Sequence, residues 1–184
     1  MQNKKIKENI SEKELIEFCI ADKRQYQEIL YRKYADKMYT VCLTYSDRDD
    51  DASDILQESF IKLFRNLHKF KFDGSFEGWL RRIVVNTALE HYRKRVRIKE
   101  KLKVYETYIE PSTDNVLAKI NAKQLIQLVN ELPKKAAMIL KLYAIEGFKH
   151  KEISELLRIS IGTSKSQLNR ARFLLKESLN KLDV

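Results

Sequence analysis

Apolar residues recur at helical spacing along most of this chain. From Glu12 to Tyr45 they form two stripes, one of Leu15, Ile16, Cys19 and Ile20, the other of Ile29, Leu30, Tyr34, Met38, Val41 and Cys42. That interval of three to four is the signature of helices burying one side. An acidic knot follows, Asp47 with Asp49, Asp50, Asp51 and Asp54; acids at a helix start complement its dipole and cap its free amides. The next helix is expected over about 52–68, with Leu56, Phe60, Leu63 and Leu67 on one face. Residues 69–78, KFKFDGSFEG, hold two glycines and an Asp and predict a loop. A long helix is expected from Trp79 to about Arg97, its apolar face Leu80, Ile83, Val84, Thr87 and Ala88, its other face Arg82, Asn86 and Arg93. Periodicity fades between Ile98 and Asp114, where some helix is expected only at the start, and Pro111-Ser112 closes that stretch. Four further helices are expected at about 115–131, 134–146, 149–157 and 161–180, with Pro133 suited to a first helical position and Gly147 to a helix end. The pattern predicts an all-α chain of two small helical domains, 12–97 and 115–182, joined by a linker at 98–114.

Composition agrees and adds charge. Among 184 residues only 4 are Gly and 2 are Pro, too few to serve many β-hairpins. The formal net charge is +10, unevenly spread. Residues 119–184 carry 13 basic and 6 acidic side chains, a net +7, against +4 for residues 1–97 and −1 for 98–118. A positive surface favours polyanions, and binding DNA gains from counterion release; lysines keeping a helical protein soluble would give the same totals. Cys19 and Cys42 have no CxxC spacing and suggest neither a zinc site nor a disulfide framework. No apolar run approaches the roughly 20 residues needed to span a bilayer, and residues 1–10 are basic and polar, unlike a signal peptide. A cytoplasmic protein without membrane insertion is expected.

The sharpest local signal is KHKEISELLRISIGTSKSQLNRARFLL at 149–175. Ile153, Leu156 and Leu157 form the buried side of a short helix. Arg158, Ile159 and Ser160 make a tight turn, in which Ser160 can cap a second helix. Ile161 and Leu168 are expected to point back at the first helix, and Ala171 permits close approach. The remaining face carries Thr163, Ser164, Lys165, Gln167, Asn169 and Arg170, long or hydroxylated donors of the kind that reach base edges and phosphates in a major groove. The brief turn and a second helix almost without acids favour a helix-turn-helix over an ordinary antiparallel helix pair with a solvated face.

Together these segments resemble an extracytoplasmic-function sigma factor, the two-domain class of bacterial RNA polymerase sigma subunits, over about 12–182. Four stretches carry the resemblance: ADKRQYQEILYRKYADKMYTVCLTY (21–45), DASDILQESFIKLFRNLHKF (51–70), FKFDGSFEGWLRRIVVNTALEHYRKR (70–95) and LPKKAAMILKLYAIEGFKHKEISELLRISIGTSKSQLNRAR (132–172). The first resembles the opening helices of the promoter-melting domain. The second implies docking on the β′ clamp helices of core polymerase through Asp54, Gln57 and Glu58, with Ile61 beside them. The third implies recognition and opening of the −10 element: Lys71, Phe72, Asp73, Ser75 and Phe76 around a base pocket, Arg82, Arg93 and Lys94 along the strand with Arg81, Arg95 and Arg97, and Asn86 at a base edge. Melted DNA needs a pocket for an extruded base and a basic track for its backbone. Trp79 either stacks on nucleic acid or anchors the core, the second being favoured. Glu90 is expected to pair with Arg93 or Lys94. The fourth implies −35 reading by Thr163, Ser164, Lys165, Gln167, Asn169 and Arg170, with two departures from the family: Arg158 where Gly is frequent and Gln167 where Arg is. The family also implies an anti-sigma partner, and neither a cofactor nor a small-molecule substrate.

Two other classes of function stay open on residues alone. A helix-turn-helix regulator that never binds polymerase would leave the 51–95 segments without purpose. A nucleic-acid enzyme would need a metal site or nucleophile. His68, His91 and His150 are scattered, and the aspartates at 47–54 read more simply as a capping and partner-facing cluster.

Overall fold

A computed structural model of the protein describes residues 10–46, 48–102 and 122–182. Its regular structure there is helical throughout, and the chain divides into two compact units, Met1–Val96 and Arg97–Val184. Asp47, Pro111 and Ser112, with most of the expected linker and the start of the expected 115–131 helix, lie outside the described residues.

In the first unit, helix α1 spans Glu12–Ile20. Ser11 caps it through a reciprocal pair of bonds: the Glu14 backbone N–H donates to the Ser11 hydroxyl (3.2 Å), and the Ser11 N–H donates to the Glu14 carboxylate (3.0 Å). Asp22, at φ 55°, turns the chain into α2, Arg24–Tyr45. The latter buries Leu30, Tyr34, Met38, Val41, Cys42 and Tyr45 along one stripe. α3 covers Asp49–Asn66 and ends in a 3-10 turn, Leu67–Lys69. Its acidic first turn complements the dipole, yet no side chain caps it: the capping position is Arg48, which makes no capping bond. α4 spans Phe76–Leu102, starting three residues ahead of Trp79 and running on past Arg97 into the expected linker. The early start has a local cause, since the Ser75 hydroxyl accepts from the Gly78 N–H at 3.3 Å. Leu30, Met38, Cys42, Leu63, Leu80, Val84 and Ala88 form the sealed centre of this unit.

The second unit holds α5 (Ala122–Glu131), α6 (Lys134–Leu140), α7 (His150–Leu157) and α8 (Ile161–Leu182). Pro133 precedes the first turn of α6. The expected 134–146 helix does not stay regular: Lys141–Ile145 widen into a π-helical turn, and Gly147 at φ 72° reverses the chain. Ile139, Leu142, Ile153, Leu168 and Ala171 are buried between these helices. Arg158 joins α7 to α8 with φ 54° and ψ 47°, the left-handed conformation that costs a non-glycine residue about 1–2 kcal/mol.

Candidate nucleic-acid and partner interfaces

The exposed face of α3 is narrower than its sequence suggests. Asp54 and Gln57 are exposed and Ile61 is 51% exposed, on the side away from buried Ala52, Ile55, Leu56, Ser59, Phe60 and Leu63. Glu58 is also engaged within the fold. Its carboxylate bonds Lys62 Nζ at 2.8 Å and His91 Nε2 at 2.6 Å. Lys62 also reaches Glu90 at 2.8 Å and the Thr87 hydroxyl at 3.3 Å. The Lys62 ammonium, and then His91, hold the Glu58 carboxyl down at about 2. Burial pulls Lys62 the other way, but its two carboxylate partners win and its pKa is raised. Glu58 is therefore an α3–α4 tie as well as a half-exposed member of that side of α3. Glu90 is an internal ion-pair partner as expected, but with Lys62 from across the helix pair and not with Arg93 or Lys94 on its own helix.

A second tie joins the start of α3 to the C-terminal half of α4. Asp51 pairs with Arg48 and with Arg95, each at 3.1 Å. Both bonds, Arg48 first, lower the Asp51 pKa. Arg95 thus shares part of its charge with α3. Among the described residues no group of three or more His, Cys, Asp or Glu is placed to share a metal ion.

The loop before α4 is built on aromatic rings. Phe70 lies 5.3 Å from Phe76, 5.3 Å from Trp79 and 5.0 Å from Phe72, and Phe76 also packs on Tyr34 at 5.4 Å. Phe76 is 1% exposed. It is a core ring that anchors the loop, and its expected place at the pocket surface is corrected. Trp79 is half-buried in the same cluster, as a core anchor should be. Lys71, Phe72, Asp73 and Ser75 are exposed. Gly74 has φ 97° and Phe72 φ 60°; a phenylalanine there is strained by about 1–3 kcal/mol. Along α4, Arg82 and Lys94 are exposed and Arg93 is half-buried, donating from Nε to the Leu89 carbonyl at 3.3 Å. Asn86 is half-buried, and its Oδ1 is an acceptor that the fold leaves without a partner.

α7 and α8 form the helix-turn-helix. Ser160 caps α8, accepting from the Thr163 N–H at 2.9 Å, and its hydroxyl also meets the Thr163 hydroxyl at 2.9 Å. Leu168 and Ala171 face inward. Ile161 does not: it is 45% exposed, since one residue into the helix it stands at the edge of the buried stripe. Ser164 is the larger correction. It is fully buried and shares a 2.9 Å hydrogen bond with His150 Nδ1 at the start of α7, so it fixes the helix pair and is withdrawn from DNA. The His150 ring in turn stacks on Tyr143 at 4.8 Å. Thr163, Lys165, Asn169 and Arg170 are exposed, and Gln167 is half-buried at the margin of that face. Arg172 is exposed too, 5.7 Å from the Tyr143 ring, and stands seven and three residues on from Lys165 and Asn169, on their side of α8.

Two family descriptions match: Sigma-70 region 2 over residues 30–98 and Sigma-70 region 4 over residues 122–174. The chain is similar to the ECF RNA polymerase sigma factor SigE of Mycolicibacterium smegmatis, 32% identical over 159 residues, covering 83% of this chain and 61% of that protein's length. It is also similar to the ECF RNA polymerase sigma factor SigW of Bacillus subtilis, 29% identical over 161 residues, covering 81% of this chain and 86% of the relative. In fold it resembles the sigma factor RpoE from Bartonella quintana, solved in complex with the anti-sigma factor NepR. That likeness has a TM-score of 0.52 and 20% identity, covering 83% of this chain and 96% of the other. With both regions present in order, the chain belongs to the extracytoplasmic-function (ECF) group of the sigma-70 family of RNA polymerase sigma factors.

Proposed function

We propose that this protein is an alternative sigma factor that binds core RNA polymerase and directs it to promoters through their −10 and −35 elements. The observation carrying this reading is the presence of region 2 and region 4 in a single chain. Residues 12–97 form the domain that binds polymerase and melts DNA, 98–114 the linker, entered by the tail of α4, and 115–182 the −35 domain. On α3 the docking face is Asp54, Gln57 and Ile61, set against the β′ clamp helices. Lys71, Phe72, Asp73 and Ser75 surround an extruded −10 base. Arg82, Asn86, Arg93 and Lys94 follow the melted strand. On α8, Thr163, Lys165, Gln167, Asn169, Arg170 and Arg172 face the −35 major groove. The protein breaks no bond itself; its contribution is binding energy that favours the melted promoter. It acts in the cytoplasm, and no described helix is long and apolar enough to cross a membrane. An anti-sigma factor that covers these same surfaces is the expected inhibitory partner.

In vitro transcription with core polymerase on a genomic promoter library tests this. The protein should stimulate initiation at a small set of promoters sharing −10 and −35 sequences. Stimulation at none, with the protein failing to co-purify with core polymerase, would leave a conventional regulator in its place.

A further inference from the structure

Phe72 is the outermost ring of a cluster of tilted and edge-on aromatic rings. Phe70 lies 5.0 Å beneath it, backed by Phe76 and Trp79. Phe72 itself is 40% exposed and held at φ 60°, a conformation that a bulky residue keeps only where its surroundings impose it. A ring held outward on a rigid aromatic base is a platform for another flat group. The charge above it comes from a distant part of the chain: Lys13 of α1 places Nζ 5.8 Å from the Phe72 ring centroid.

α1 is well fixed for such a task. Leu15, Ile16 and Cys19 are buried, Glu12 bonds both Tyr34 and Lys33 of α2, and Ser11 with Glu14 closes its first turn. The Lys13 side chain itself is 70% exposed and reaches Glu17 only at 4.0 Å. A fixed backbone thus carries a movable ammonium.

We propose that Lys13 and Phe72 form the two sides of a site for one extruded base of the −10 strand, the base stacking on Phe72 with the Lys13 ammonium over its opposite face. The proposal rests on the 70–76 loop being the −10 pocket. Two stacked contacts of about 3.5 Å each need about 7 Å between ring and ammonium, and the present 5.8 Å reaches that with a small rotation of the lysine stem. In the free protein the ammonium covers the platform through a cation–π contact, so base and lysine exchange partners and do not expose bare aromatic surface. α1 thereby acquires a part in promoter opening.

The test uses the full chain with core polymerase on a promoter located by its own transcript start, its −10 region held open by mismatches. Wild-type affinity is compared with that of Lys13→Ala and Lys13→Arg, on this template and on a series with one abasic site at each −10 position of the non-template strand. Lys13→Ala should weaken binding about three- to tenfold, as loss of a cation–π contact implies, and Lys13→Arg should restore most of it. That deficit should vanish at a single abasic position, the one whose base the site holds. Equal affinity for Lys13→Ala and wild type overturns the proposal, as does a deficit that persists at every abasic position, which would make Lys13 a general phosphate contact. A wild-type holoenzyme with no preference for the open template over the duplex would instead remove the −10 reading of the loop itself. Unfolding temperatures of the two Lys13 variants should match wild type, since the side chain is exposed.

Discussion

Arg170 and Gln167 sit one turn apart on α8, and their surroundings differ. Arg170 is exposed and Gln167 half-buried at the edge of the face. Arg170→Ala should weaken binding to a −35 duplex at all sequences and lower the salt slope by about one, because one phosphate neutralisation is lost. Gln167→Arg should shift the preferred −35 sequence, read by selection from a randomised duplex pool. Ser164→Ala is the contrast. It removes the buried bond to His150, so it should cost about 1 kcal/mol of stability and leave the selected sequence unchanged. A Ser164 variant with altered base preference would mean the face of α8 has been placed wrongly. Arg158 poses a different question, since its φ of 54° is a glycine conformation. Arg158→Gly should relieve about 1 kcal/mol of strain, part of it offset by the freer unfolded chain, and raise the unfolding temperature in a circular-dichroism melt.

At the scale of elements, polar ties between α3 and α4 do what apolar packing alone would not. Packing sets the distance between two helices, while Glu58, Lys62, Glu90 and His91 set their register. A folded-state carboxyl held at about 2, below its ordinary 4.5, contributes stability that is complete above pH 4.5 and is lost as pH falls toward 2. Glu58→Gln should therefore lower stability at neutral pH, by about 1 kcal/mol or less because the group is a third exposed and screened by solvent. The gap between wild type and variant should close as the pH falls from 4.5 toward 2. A gap constant across that range, in denaturant titrations at several pH values, would mean the tie carries no charge energy. The same ties show why the pairings of Glu58 and of Arg95 are not legible in the sequence. Glu58 and His91 are 33 residues apart and Asp51 and Arg95 are 44 apart. Helical periodicity says which side of its own helix a residue occupies, not which side chain from another helix stands opposite.

For the whole molecule, each unit has its own sealed centre, one around Leu30, Leu63 and Leu80, the other around Ile139, Ile153 and Leu168. Each should unfold with its own transition, so Arg158→Gly should move one and Glu58→Gln the other in a single calorimetric scan. A lone transition shifted by both variants would show the units to be energetically joined. Local patterning along the chain is enough for most of the helices, their grouping and the helix-turn-helix. Those depend on local periodicity and on caps and turns such as Ser160 and Gly147, which need only neighbours in the chain. It also carried the family, through motifs read in order. Which polar and aromatic residues remain available follows instead from how the helices pack. Phe76 and Ser164 are taken up inside, Glu58 is paired with Lys62 and His91, and Lys13 is brought over Phe72 from 59 residues away. Burial and pairing are properties of what lies across a packed interface, and a linear pattern holds no record of that.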